Sequence, residues 1–236
     1  KLINEHKVKC ETIDLDEVEI FSQKIKEKKY NNISEKIGIY RLAYVDYLLM
    51  KKKQSFHLID SDTYFFSTID YLEKEINNLN SSVAFCEHNF FYNKKKMSDN
   101  YGIYNAGYIY FNYDNTSIQF LKKYRSLCQK YISWTVKDGE KNIFADQTYL
   151  ESLISEFKNI KIIKNIGINC APWNIGNYKL SMEQDHYWIN DNKLIFFHFS
   201  GIRTILNKFF FFNLYYYNNT NLRYVKNSIY KTYLEN

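Results

Sequence analysis

Two carboxylates one residue apart, closing an apolar run, are the first residues here whose types and spacing suggest chemistry: Phe56-His57-Leu58-Ile59 leads into Asp60-Ser61-Asp62. At the end of a strand the alternation of side chains relaxes, so Asp60 and Asp62 can converge on one point at the carboxyl edge of a sheet. Two hard oxygen donors there suit Mg²⁺ or Mn²⁺, which fills its remaining positions with water and a substrate's phosphates. The same string also occurs as an ordinary turn or cap. Its place after an apolar strand favours the metal. A second signal is Leu194-Ile195-Phe196-Phe197-His198-Phe199-Ser200-Gly201, where His198 interrupts an apolar run. A buried histidine bonded to a backbone carbonyl is the alternative reading. The run closes in a Ser-Gly turn and Arg203, which puts an imidazole suited to a metal close to a guanidinium suited to phosphate.

Other polar residues sit where apolar ones are the rule. At about 100° per residue, Arg41 falls between Val45 and Leu48, away from the charged edge carrying Lys36 and Asp46. A cation on that face needs an anion, or its stem snorkels past its neighbours. In Tyr104-Asn105-Ala106-Gly107 the small residues Ala106 and Gly107 let a ligand approach the backbone, and Asn105 brings an amide suited to sugar hydroxyls. Asp146 and Gln147 open a helix, where capping is the competing role.

These residues need elements to hold them. Short apolar runs alternate with helical patterns, as in a layered α/β domain. Strands are expected at Lys7–Leu15, Phe56–Ile59, Ser82–Cys86, Gly107–Phe111, Ile160–Ile163 and Lys193–Phe199, and helices at Ser34–Lys51, Thr116–Trp134 and Phe144–Phe157. The 236 residues are 45% hydrophobic and 25% charged, which excludes disordered, collagenous and disulfide-scaffold classes. Aromatic content reaches 19%, with seven glycines and a single proline, Pro172, so each of these eight residues carries positional weight. The net charge of +6 favours anionic partners. Lys51–Lys53 and Lys94–Lys96 read as solvated loops, since neither has the flanking pattern of an RNA-binding module, and no nucleic-acid partner is expected. Cys10, Cys86, Cys128 and Cys170 are scattered without a C-x-x-C pair, which points to a reducing, cytoplasmic setting. No run approaches the ~20 apolar residues of a membrane span. Beyond residue 206, Phe209–Phe212 and Tyr215–Tyr217 are interleaved with Lys208, Arg223, Lys226 and Lys231. Such a basic aromatic segment either rests peripherally on an acidic membrane or packs on the domain.

Taken in order, Tyr40-Arg41-Leu42, Asp60-Ser61-Asp62, Asn105-Ala106-Gly107, Asp146-Gln147 and His198-Phe199-Ser200-Gly201 resemble the motif series of bacterial nucleotide-sugar-dependent glycosyltransferases with the GT-A fold. The likeness is to the family-eight-like group that includes lipopolysaccharide galactosyltransferases and glycogenin. The segment Gly167-Ile168-Asn169-Cys170-Ala171-Pro172-Trp173-Asn174 further resembles a bacterial subgroup of such enzymes. The resemblance implies a GT-A domain over residues 1–206, a Rossmann-like mixed sheet flanked by helices, followed by the basic aromatic segment 207–236. It implies Mn²⁺ or Mg²⁺ held by Asp60, Asp62 and His198, and a nucleotide sugar, most simply a UDP-sugar, contacted by Arg41, Asp60, Ser61, Ala106, Gly107 and Arg203. Asn105, Asp146 and Gln147 would line the donor and acceptor pocket, with Asp146 the base if the enzyme inverts and Gln147 or Asn105 stabilising the sugar cation if it retains. The acceptor would be a glycan or a lipid-linked saccharide. Such folds open with a nucleotide-binding strand and helix that have no equivalent before Lys7, so these either precede Lys1 or base recognition is lost. A non-catalytic nucleotide- or carbohydrate-binding module is the alternative, and a basic membrane- or nucleic-acid-binding protein a third.

Overall fold

A computed structural model describes residues 33–134, 143–205, 209–217 and 222–235. The strand expected at Lys7–Leu15 lies outside them. Among the described residues β1 (Phe56–Ile59), β3 (Val83–Glu87), β4 (Tyr104–Phe111) and β5 (Ile160–Ile163) form one sheet in the order β1-β4-β3-β5. β1 and β3 run antiparallel to β4, and β5 runs parallel to β3, so the sheet is mixed.

The alternation of β3 and β4 explains the layers. Val83, Phe85, Ile109 and Phe111 face a cluster with Leu42, Val45 and Leu49 of α1 (Ile33–Lys52) and Phe120, Leu121 and Tyr124 of α4 (Asn115–Lys130). Ala84, Cys86 and Tyr108 point to the opposite face, toward Leu72 and Ile76 of α2 (Ile69–Leu79) and Phe196. A strand covered on both faces reads as an unbroken apolar run, as Val83-Ala84-Phe85-Cys86 does. The chain is thus an α/β protein with a mixed sheet flanked by helices, an arrangement compatible with a Rossmann-like fold.

Several boundaries and elements differ from expectation. α4 starts on its cap, where the Asp114 carboxylate accepts the Ser117 N–H at 2.8 Å, and stops at Lys130, four residues short of Trp134. The helix expected at Phe144–Phe157 is a 3₁₀ turn (Gln147–Tyr149) followed by α5 (Leu150–Glu156). Asp46 is not on a charged edge: it is buried and paired with Arg125 of α4. Lys51 and Lys52 close α1, where cations favour the helix dipole, and Lys94–Lys96 open α3 (Lys94–Tyr101). The left-handed backbone positions fall mostly to asparagine. Asn80, Asn89, Asn93, Asn159, Asn169 and Asn190 have positive φ, against Gly102 and Gly201 among the glycines.

A second structural unit abuts the sheet. β2 (Thr63–Phe65) pairs antiparallel with β9 (Phe196–His198), and β6 (Leu180–Glu183), β7 (His186–Ile189) and β8 (Asn192–Lys193) form a meander. Phe197 and Phe199 share a cluster with Leu214, Val225, Ile229 and Tyr230, so packing runs across residue 206. In the basic aromatic segment Phe212 and Tyr233 pack on that cluster. Phe210 and Phe211, in β11 (Phe209–Phe211) paired with β10 (Arg203–Ile205), are 44% and 61% exposed. Among the described residues no helix is long and apolar enough to cross a membrane.

Candidate metal centre

The Asp60-Ser61-Asp62 turn crosses from one sheet to the other. Ile59 is registered against Tyr108 of β4, and the Asp60 N–H donates to the Gly107 carbonyl at 2.9 Å. Beyond the turn Thr63 pairs with His198, and the Phe199 N–H donates to the Asp62 carbonyl at 2.6 Å. Pinned at both ends, the turn brings donor atoms of Asp60, Asp62 and His198 within 4.8 Å of one another. His198 Nε2 lies 3.1 Å from Asp62 Oδ1 and 3.9 Å from Asp60 Oδ2. Gly107 makes room for the imidazole: a Cβ there would stand 2.4 Å from His198 Cε1 and 2.6 Å from Nδ1.

A chain of buried amides fixes the histidine's tautomer. The Gly107 N–H can only donate, so the Asn105 atom facing it at 2.9 Å is Oδ1. That oxygen also accepts from Asn169 Nδ2 at 3.0 Å, which turns Asn169 Oδ1 toward His198 Nδ1 at 3.2 Å. His198 therefore carries its proton on Nδ1 and aims Nε2 at the carboxylates. On the other side, Asn105 Nδ2 donates to His88 Nε2 at 3.2 Å and Gln147 Oε1 at 3.4 Å. His88 Nδ1 donates to the Gly102 carbonyl at 3.0 Å, and Gln147 Nε2 to the Tyr101 carbonyl at 2.8 Å. The amides of Asn105 and Gln147 are thus bonded into the protein.

Arg41 braces the acids from behind. Its Nη1 donates to Asp60 Oδ1 at 2.5 Å, its Nε and Nη2 to Asp146 Oδ2 at 3.1 and 2.7 Å, and Nη2 to the Ala106 carbonyl at 3.0 Å. Burial works against the guanidinium's charge, but Asp146 and Asp60 outweigh it and raise its pKa further. For Asp62 burial would raise the pKa, and the hydrogen bond and charge that His198 supplies when Nε2 also carries a proton reverse this and hold the carboxylate below its usual range. Burial is also the main cause that pulls His88 down to about 3, so it stays neutral at physiological pH.

Beside this network lies a cleft of about 510 Å³. Arg41, Asp60, Asp62, Asn105, Ala106, Gly107, Asp146, Gln147 and His198 line it. Ser61 and Arg203 are exposed and do not line it. The rest of the lining is largely aromatic, with Phe90, Tyr101, Trp134, Phe144, Trp173, Tyr216 and Tyr217. Sequence reasoning assigned none of these rings, nor His88 or Asn169, to the site. His88 had a signal: it follows β3, which runs parallel to β1, so both strands end at the edge that bears Asp60.

A divalent cation fits this donor set. An imidazole lone pair 3.1 Å from a carboxylate oxygen is not left facing it bare; the position takes a proton or a metal ion. The Nδ1–H bond to Asn169 is the outer contact that typically orients a metal-binding histidine. Three carboxylates against one guanidinium give the cleft wall a formal balance of −2, which a divalent cation cancels. Fold and site together define an α/β protein with a candidate oxygen- and nitrogen-donor metal centre at the carboxyl edge of its sheet.

No family model matches the chain. It is similar to YfnD of Bacillus subtilis (strain 168), described as an uncharacterized protein, with 27% identity over 194 residues that cover 81% of this chain and 61% of YfnD. It is also similar to YfnF of the same organism, likewise described as uncharacterized, with 31% identity over 105 residues that cover 44% of this chain and 34% of YfnF. The chain thus aligns with less than two thirds of either relative.

Proposed function

We propose that the protein is a nucleotide-sugar-dependent glycosyltransferase of the GT-A type, moving a hexose from a nucleotide-diphosphate donor, most simply a UDP-sugar, to a glycan or lipid-linked saccharide. The observation that carries this reading is the meeting of Asp60, Asp62 and His198 on one wall of a cleft large enough for such a donor. Mn²⁺ or Mg²⁺ on these three residues would neutralise the diphosphate as it leaves. Arg41 holds Asp60 and Asp146 in place with three of its five N–H donors and turns a fourth to the Ala106 carbonyl. Asn105 and Asn169 orient the imidazole, and the aromatic wall limits water around the sugar. Asp146 is 4% exposed and its Oδ2 is held by Arg41, so it is poorly placed to take the acceptor's proton. This disposition favours retention, with a leaving phosphate oxygen taking the acceptor's proton, over an inverting step through Asp146.

The test is calorimetric titration of the protein with uridine diphosphate, with and without Mn²⁺. Tight binding only with the metal supports the reading; no binding in either condition refutes it. Asp62→Ala should abolish the metal dependence and His198→Ala weaken it, each removing one ligand.

A second reading, a non-catalytic nucleotide- or carbohydrate-binding module, is favoured by the inward bonding of Asn105, Gln147 and Asp146. Slow metal-dependent hydrolysis of any sugar nucleotide in a panel decides for the enzyme, and intact donors throughout decide for the module. The exposed Phe210 and Phe211 suit peripheral contact with an acidic membrane. Replacing both by serine should release the protein from phosphatidylserine vesicles, and unchanged binding would refute that contact.

A further inference from the structure

The aromatic wall begins at the metal centre itself. The Trp173 ring meets His198 edge to face, with centroids 5.0 Å apart at 76°, and meets Tyr217 at 6.3 Å and 70°. Tyr217 in turn stands at 88° to Tyr216, 5.0 Å away. The hydroxyls of Tyr216 and Tyr101 are 3.2 Å apart, which ties the 3₁₀ turn Asn213–Tyr217 to the end of α3. Trp173 is 4% exposed, and its indole N–H has no acceptor among the described residues. Tyr216, at the rim, is 57% exposed.

We infer that Trp173, Tyr217 and Tyr216 form the subsite for a pyranose ring of the acceptor saccharide, an inference that rests on the transferase reading and names its acceptor class. A flat nucleobase needs a parallel slot, whereas these rings meet at 70–88° and make a corner. A puckered sugar fits a corner. Its C–H face lies on one ring while its equatorial hydroxyls reach the tyrosine hydroxyls. The exposed Tyr216 leaves a way out for the rest of a glycan chain. The basic aromatic segment thus contributes Tyr216 and Tyr217 to the cleft, while Phe210 and Phe211 stay outside it.

The experiment is saturation-transfer NMR on the full chain with Mn²⁺ and uridine diphosphate present, using the methyl glycosides of glucose, galactose and N-acetylglucosamine as probes. At least one glycoside should receive saturation on its ring C–H protons, and Tyr217→Ala should weaken its binding tenfold or more. Tyr216→Ala, at an exposed position, guards against misfolding: it should weaken binding while Mn²⁺ affinity and thermal midpoint hold. Absence of saturation transfer to every glycoside, or equal binding by both variants, overturns the subsite. Loss of uridine diphosphate binding alone would instead sink the transferase reading, and glycoside binding that persists would then keep the aromatic site as that of a carbohydrate-binding module.

Discussion

Gly107→Ala strikes the candidate metal centre without replacing any of its three donor residues. The added Cβ would stand 2.4 Å from His198 Cε1 and 2.7 Å from Asn105 Oδ1. Carbon atoms settle about 3.5 Å apart, so the imidazole must retreat by roughly 1 Å, and Asn105, which orients it, is pushed as well. Overpacking of this kind costs about 1–3 kcal/mol of stability, which a chain with two apolar clusters against its sheet should survive. A ligand displaced by roughly 1 Å should lower Mn²⁺ affinity at least 10- to 100-fold. Titration followed by electron paramagnetic resonance reads the affinity, and thermal unfolding reads the stability. Gly38→Ala on α1, where a Cβ would meet Ile132 Cδ1 at 3.1 Å, is the control and should leave Mn²⁺ binding unchanged. A Gly107→Ala protein that melts as a folded chain and binds Mn²⁺ like the parent would refute the placement of His198.

Three further outcomes follow from the same geometry. With His88 held near 3 in the fold and near 6.5 when unfolded, both states are neutral above 6.5, and only the unfolded chain takes up the proton as pH falls from there. Stability should therefore drop below pH 6.5 by up to about 1.4 kcal/mol per unit relative to His88→Gln, and parallel urea midpoints for the two proteins from pH 6.5 to 4 would contradict it. Arg41→Met leaves Asp146, 4% exposed, without its partner and should cost about 3–5 kcal/mol in urea denaturation; a loss below about 1 kcal/mol would show that the carboxylate finds relief elsewhere. Asn169→Gly keeps the left-handed backbone (φ 59°) and removes the amide, so it should weaken Mn²⁺ binding about 10- to 100-fold and shift the His198 imidazole ¹⁵N resonances away from the Nδ1–H form, whereas unchanged resonances would remove Asn169 from that role.

The strands were legible where apolar runs are short and bounded. Phe56–Ile59 and Ile160–Ile163 coincide with expectation, because a bounded, largely apolar run of four residues leaves little room for other assignments. α3 was not, because Lys94-Lys95-Lys96 opens it and only Met97 and Asn100 are buried, too few for a helical stripe. The turns were hidden by composition: asparagine takes left-handed positions that glycine would have marked. At the site, the acidic pair and His198 stood out because each breaks or ends an apolar run. Ser61 and Arg203 did not join them, since a turn residue's direction is set by pairings across the two sheets that local spacing does not contain. Arg41 needed an anion, as its place on the helix implied, and found two; which two depended on a helix and a strand distant in sequence.

Those two anions bear on why the proposed reaction calls for a metal at all. A guanidinium aimed at the cleft could by itself receive a diphosphate, yet Arg41 turns four of its donors to Asp60, Asp146 and the Ala106 carbonyl. Arg203, the other cation expected there, is exposed and outside the cleft lining. The wall that the proposed diphosphate donor would approach is thus net negative, and in a partly desolvated cleft like charges repel strongly. Such a surface binds a doubly charged anion only after a cation at Asp60, Asp62 and His198 has cancelled that charge. Binding of uridine diphosphate should accordingly rise with Mn²⁺ concentration and saturate where the metal site does. Binding equally strong in the presence of a chelator would mean that the anion is held by groups other than these, and that the acidic pair serves the turn alone.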